Sequence, residues 1–254
     1  MNTRRGAWWK DHFDLETLAG YGLAAKAPAE ARGAAALAGL RRGGSVLDVC
    51  CGAGRHSVRL AELGYAVTGV DIRPELLEAA RRACASRGVS AEFRRADMRR
   101  LPYRSRFDAA LILFTSFGYF EREADDARAL ASVRRALRPG GRLVLDLLNK
   151  EWLMRHFTPR FRVREPRGPV ARAESRLSFD LRTGRLDNRR TLVYRDGRRR
   201  RTFLSIRVYT LTEIGRLLDE AGLKLKSAHG GLGGRRYGMD AFRMVVTAEK
   251  PRKN

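Results

Sequence analysis

Three acids and two glycines carry the chemistry this sequence can do. Asp48 is followed by Gly52 and Gly54, and Asp71 and Asp97 come later, each at or just past the end of a run rich in apolar residues. Glycines in a turn remove the side chains that would keep a ligand from the backbone. The free N–H groups of a following helix then favour an anionic or polar ligand end. Asp71, closing the next apolar run, is placed to accept both hydroxyls of a ribose. Carboxylates and bare backbone in this order suit a ligand that carries a nucleoside.

The elements that must position these groups follow from the pattern. Ser45–Val49 reads as a strand, Cys50–Gly54 as a tight turn, Arg55–Leu63 as a helix and Tyr65–Val70 as a second strand, which is half of a nucleotide-binding βαβ unit. Pro74 opens a helix over Glu75–Ser86, and Ala91–Arg95 is a short strand delivering Asp97. Phe107–Phe114 is apolar enough for burial on both faces. It opens into the aromatic loop Thr115–Phe120, which should line a pocket at the strand ends. A helix over Asp125–Leu137, a turn at Pro139–Gly141 and a strand over Arg142–Leu148 follow, the last ending in Asn149.

Upstream, Ala7–Leu18 has helical spacing of Trp8, Trp9, His12, Phe13 and Leu15, and an alanine-rich helix over Ala24–Leu40 is broken at Pro28. Beyond Arg155 the pattern changes to short strands at Arg160–Glu165, Ala171–Phe179, Arg189–Tyr194 and Thr202–Tyr209, with turn signals between them. Antiparallel hairpins inserted after the fifth sheet strand are the expected result. Thr212 is the expected N-cap of a helix over Glu213–Ala221. Leu223–Ala228 and Ala241–Ala248 read as the last two strands, antiparallel to each other.

The glycine pattern discriminates among nucleotide sites. A dinucleotide fingerprint is GxGxxG with no acid ahead of it; here Asp48 precedes Gly52-x-Gly54 and the third glycine is missing. The run LDVCCGAG resembles the first signature motif of the class I S-adenosylmethionine (SAM) methyltransferases, commonly LDxGCGxG. Ala96–Pro102 resembles that family's fourth motif, and LRPGGRLVLDLLN its RxLxPGGxLxxxxxN region. The resemblance covers residues 45–249. A narrower likeness, to small-molecule N-methyltransferases with a β insertion, rests on the insertion and on Arg207–Thr210.

The resemblance implies an α/β fold: a Rossmann-like, mostly parallel seven-stranded sheet with an antiparallel last strand, an N-terminal helical lid and an antiparallel β insertion. Its divisions would be a lid over residues 1–43, a SAM-binding core over 44–154, the insertion over 155–209 and the end of the core over 210–249. It places Asp48, Gly52 and Gly54 at the methionine end of SAM, Asp71 at the ribose and Asp97 with Met98 at the adenine. Arg55, Ile72 and Phe114 are further cofactor-side candidates, with Arg55 equally readable as a solvated helix start. No metal is expected. Phe13, Tyr119, Asn149, Arg207 and Tyr237 are acceptor-binding candidates, and Tyr21, Tyr209 and His229 catalytic ones. His229 has the intrinsic pKa for a general base, needed only if the acceptor is a hydroxyl or an acidic carbon.

No Asn-Pro-Pro-Tyr run follows the fourth strand, against the amine-methylating adenine-DNA and protein-glutamine branches, and no cysteine stands where the C5 pyrimidine enzymes carry their nucleophile. The N-terminus lacks a signal core and no apolar run reaches membrane-spanning length, so a cytoplasmic protein without membrane contact is expected. Three cysteines offer neither a disulfide framework nor a zinc set. The charge is +24, from 52 bases and 28 acids. Such a surplus draws polyanions such as RNA, but arginines spread over nearly every segment also fit a compositional drift. A small-molecule acceptor leads; an RNA or protein methyltransferase is the alternative, and a non-catalytic SAM- or RNA-binding protein the remote third.

Overall fold

A computed structural model describes residues 8–20, 24–164 and 170–252. Its centre is a seven-stranded sheet in the order β10-β11-β5-β4-β1-β2-β3. The strands are β1 (Ser45–Val49), β2 (Ala66–Asp71), β3 (Glu92–Arg95), β4 (Phe107–Ile112), β5 (Leu137–Leu148), β10 (Lys224–His229) and β11 (Arg243–Glu249). All neighbours run parallel except β11, which is antiparallel to both β5 and β10. Val46, Leu47, Ala109, Leu111, Ile112 and Leu145 are fully buried, as strands covered on both faces require. Chain order reverses between β1 and β4, the place where open parallel sheets leave a crevice.

Helices α4 (Arg55–Glu62), α5 (Pro74–Ala85) and α6 (Glu123–Ala136) cross between the strands. On the N-terminal side, the expected single helix is two, α1 (Trp9–His12) and α2 (Leu15–Gly20). Pro28 does not break a helix. It sits in the first turn of α3 (Ala27–Leu37), where its missing N–H has no intrahelical partner to lose. At the other end Thr210, not Thr212, caps α8 (Leu211–Glu220), in a reciprocal box with Glu213. The strand ending in Leu148 starts earlier than expected, at Leu137, because Pro139–Gly141 is taken up as an irregularity in its pairing with β4.

Between α7 (Lys150–Arg155) and α8 lies a second, four-stranded antiparallel sheet: β6 (Arg160–Arg164), β7 (Val170–Asp180), β8 (Arg185–Tyr194) and β9 (Arg199–Arg207). Strands β7, β8 and β9 are longer than the sequence pattern suggests. Ala173, Leu186, Leu192, Tyr194 and Ile206 are buried, while Arg172, Arg176, Arg189, Arg199 and Arg201 are exposed. The sheet is tied to the core at one end. Arg207 N–H donates to the Gly118 carbonyl, and the buried Arg185 guanidinium donates to the Phe120 carbonyl and to Ser205. Helix α1 lies against β9.

Candidate functional site

A cavity of about 660 Å3 opens along the C-terminal ends of β1 to β4. One end is polar, built by Asp48, Gly52, Gly54, Arg55, Asp71, Asp97 and their neighbours. The other is aromatic and apolar, built by Trp9, Phe13, Leu15, Tyr119 and Phe120, with Leu18 and Phe114 reaching the polar end at Gly52 and Arg55.

The polar end is assembled mostly through backbone. Gly52 N–H donates to Asp71 Oδ2 at 2.9 Å and Arg73 N–H to Oδ1 at 3.0 Å, so the strand-end acid clasps the turn. Burial pushes the Asp71 carboxyl above its ordinary range against the pull of those N–H groups. Asp48 is 2 % exposed and accepts from Ser57 Oγ at 2.6 Å. Burial raises its pKa too. Gly54 has φ +77°, and a Cβ there would lie 2.8 Å from Ala80 Cβ, so only glycine lets α5 close on the turn. Cys50 has φ +60° without being glycine, and its Sγ lies 3.8 Å from Met98 Sδ.

Asp97 caps the one-turn helix Met98–Arg100 through Arg99 N–H at 2.9 Å and takes the Arg99 guanidinium at 2.6 Å. Burial pushes the Asp97 carboxyl up, but the bonds and charge of Arg99 outweigh it and hold the pKa below the usual range. Arg55 is paired with Glu30 of α3, which also meets His56 Nε2 at 3.0 Å. Burial alone would raise the Glu30 pKa, yet His56 and Arg55 bring it down. Glu30 therefore fastens the N-terminal helix to the start of α4. One acid in an alanine-rich helix carried no signal of this in sequence.

Aromatic contacts order the other end. Phe13 stacks on Tyr119 at 5.6 Å and 23°, Trp8 meets the same tyrosine edge-on at 5.1 Å, and Trp9 meets Phe120 at 6.1 Å. Burial lowers the His12 pKa to about 4, so this ring is neutral near pH 7. Ser116 and Phe120 line the cavity, as expected of their loop, and so do Trp9, Leu15 and Leu18, which sequence gave no reason to single out as ligand contacts. Spacing alone left them as packing residues.

All nine expected cofactor-side residues, Asp48, Gly52, Gly54, Arg55, Asp71, Ile72, Asp97, Met98 and Phe114, line this cavity, as do Phe13 and Tyr119. Among the described residues, the other expected acceptor and catalytic residues do not. Tyr209 is 1 % exposed and donates to Asp126 Oδ2 at 2.6 Å, beside a separate cavity of about 290 Å3 under the second sheet. Arg207 lines that second cavity and is paired with Glu123 and Glu213. Asn149 caps α7 and donates to the Gly238 and Ala241 carbonyls, which consumes its side chain. Tyr237 donates to Glu151. His229 Nε2 lies 2.8 Å from Ser227 Oγ on β10. Tyr21 falls outside the described residues.

Residues 46–141 match a protein family described as "Methyltransferase domain". A glycine/sarcosine N-methyltransferase of Parasynechococcus marenigrum is 38% identical over 112 residues, 43% of this chain and 40% of that protein. A ubiquinone biosynthesis O-methyltransferase of Xanthomonas axonopodis is 34% identical over 110 residues, 42% of this chain and 44% of that one. The chain thus spans less than half the length of these curated relatives. Among solved structures, the CcbJ methyltransferase of Streptomyces caelestis superposes with a TM-score of 0.79 at 21% identity, over 89% of this chain and 90% of the other. Fold and sequence agree on one architecture.

Proposed function

We propose that this chain, which carries a class I SAM-dependent methyltransferase domain, binds SAM and transfers its methyl group to the nitrogen or oxygen of a small acceptor with an apolar or aromatic body. The observation that supports the reading is one cavity with a carboxylate-and-glycine end and an aromatic end. The residues fit the cofactor: Gly52 and Gly54 leave the backbone bare, and Asp71, with one hydrogen bond to each carboxylate oxygen, and Asp97 line the same cavity. Asp48, Gly52 and Gly54 would hold the methionine end, Asp71 the ribose, and Asp97, Ile72 and Met98 the adenine. Asp48, so deeply buried, would act chiefly by bracing the turn through Ser57.

When bound, SAM supplies a methyl group already activated on a sulfonium. The chain then has to align the acceptor and exclude water, and proximity and orientation are the main catalytic effect. Among the described residues the polar side chains at the aromatic end are Ser116 and Tyr119, and the acceptor would attack in its own nucleophilic form, as a neutral amine or an acidic hydroxyl. Phe13, stacked on Tyr119, would cover it from the N-terminal side, and residues 1–43 would serve as the lid.

The test is incubation with methyl-labelled SAM and fractionated cell extract. Label entering small molecules supports the reading; label entering RNA or protein overturns the choice of acceptor. The RNA reading draws on one observation, the exposed arginines of the second sheet.

A further inference from the structure

Just past the end of β4 the chain takes a conformation that its residues do not favour. Phe114 has φ +57° and Thr115 φ +59°. The left-handed region is uncommon for any residue with a side chain and a genuine outlier for a β-branched one. Strain of this kind persists only where the surroundings impose it, and it gathers at functional sites.

The surroundings here are two side chains from the neighbouring strands. Asp146 of β5, 5 % exposed, accepts the Phe114 N–H at 2.9 Å through Oδ2. Its carbonyl accepts the Thr115 N–H at 2.9 Å. Arg243 of β11 donates through Nε to Asp146 Oδ1 at 2.7 Å, through one terminal nitrogen to Thr115 Oγ1 at 2.8 Å and through the other to the Asp146 carbonyl at 3.1 Å. Three successive donors of one planar guanidinium thus close a clamp on the turn, a geometry that lysine cannot reproduce.

Neither Asp146 nor Arg243 lines the cavity, whereas Leu113, Phe114 and Ser116 all do. The Phe114 ring stands between the two ends of the cavity, with the Arg55 guanidinium 5.3 Å from its centre. A turn relaxed to negative φ would carry this ring and Ser116 off the wall. We propose that Asp146 and Arg243 are positioning residues, which hold Phe114 and Thr115 in the left-handed conformation so that the Phe114 ring fixes the acceptor's approach. The inference rests on the methyltransferase reading above. Its cost to the fold is local backbone strain; its gain is a rigid wall where a small displacement of the acceptor lowers the rate steeply.

The experiment uses the full chain and three variants: Arg243→Met, Arg243→Lys and Asp146→Ala. Amide hydrogen exchange of ligand-free protein is measured across residues 113–117, SAM affinity by calorimetry, and steady-state kinetics on the acceptor found by labelling. In Arg243→Met, exchange across 113–117 should rise while the centre of β1 and β4 stays protected. There kcat should fall roughly 10- to 100-fold while SAM affinity stays within about threefold. Arg243→Lys, the variant chosen to stay folded, should show the same pattern in weaker form. Adding Asp146→Ala to Arg243→Met should cost little more than either change alone, since the two act as one unit. Unchanged exchange at 113–117 in both arginine variants overturns the proposal, as does a loss of turnover matched by an equal loss of SAM affinity. The exchange measurement needs neither cofactor nor acceptor. A wild-type chain that transfers no methyl group therefore defeats the functional reading without touching the clamp.

Discussion

The two sheets treat their arginines in opposite ways. Around the seven-stranded sheet, arginines meet acids remote from them in sequence: Arg55 with Glu30, Arg106 with Glu92, Arg142 with Glu249, Arg216 with Glu123 and Arg243 with Asp146. On the outer face of the second sheet, Arg176 stands opposite Arg160 on one side and Arg189 on the other. Among the described residues no carboxylate lies within ion-pair distance of Arg160, Arg176, Arg189, Arg199 or Arg201. Like charges directly opposite on a sheet destabilise it, so the second sheet depends on its other face, where Leu186, Leu192, Tyr194 and Ile206 are buried. Charge is segregated from packing only away from the core, since on the same face as Arg189 both Arg185 and Asp187 are buried at the end tied to the core.

That contrast is sharpened first at the cofactor end, where the largest effect is expected. Gly52→Val forces a β-branched side chain onto φ +55° at the bare turn, and Asp71→Ala frees the Gly52 N–H. Each should weaken SAM binding by roughly 2 kcal/mol or more, counting a lost charged hydrogen bond. Calorimetry giving wild-type affinity for the folded Gly52→Val protein would remove SAM from the cavity.

Next comes the aromatic end. Deleting the N-terminal segment would remove Trp8 and Trp9, both buried in the core, and so confuse stability with function. Phe13→Ala is the cleaner change, because Phe13 is half-buried and stacks on Tyr119. Acceptor kcat/KM should fall about tenfold, the cost of one aromatic contact of roughly 1 kcal/mol with some lost burial. The melting temperature should move little. Equal turnover in Phe13→Ala would end the lid role of this segment.

A smaller effect is expected where the two sheets meet. Burial raises the Asp126 pKa from 3.8 to about 7, against the hydrogen bond from Tyr209 and the charges of Arg185 and Arg207. The folded-state pKa is raised, so this group stabilises the fold fully below about pH 4, and that stability is lost as pH rises through about 7. Between pH 8 and pH 5 the wild-type melting temperature should gain a few degrees that Asp126→Asn does not show, at about 2–4 °C per kcal/mol for a chain of this size. Identical pH profiles of the two proteins would mean that Asp126 is not buried as described. Tyr209→Phe leaves the carboxylate without its partner and should cost about 1–3 kcal/mol in denaturant unfolding.

The smallest effect on catalysis is expected from the arginine face itself. Arg198 pairs with Asp196, and Arg200 with Asp14, so neutralising the whole run Arg198–Arg201 would also loosen the N-terminal segment. Arg176, Arg189 and Arg201 are the informative set. Changing all three to Gln should leave turnover within about twofold and raise low-salt stability by a few tenths of a kcal/mol, as repulsion is relieved. Retention on RNA should become weaker and less salt-dependent. A collapse of transfer with steep salt dependence would instead make RNA the acceptor.

The course of the core was legible in sequence because each step left a local mark. Asp48, Gly52, Gly54, Asp71 and Asp97 stand at strand ends or in the turns just beyond them, and apolar runs marked the strands themselves. Glycine and strand-end acids are short-range signals, set by what the backbone must do within a few residues. The change of pattern after Arg155 likewise announced a second, antiparallel sheet. What the chain's order could not convey was which polar groups would be spent on each other. Tyr209 is taken by Asp126 83 residues away, Asn149 by the carbonyl of Ala241, Tyr237 by Glu151 and Arg55 by Glu30. A buried polar group must find a partner, and that partner is decided by which surfaces the sheets bring together. The same holds for Arg243 and Asp146. Nothing near either residue in sequence marks a clamp, and only β11 lying antiparallel against β5 sets the pair beside the strained turn at Phe114.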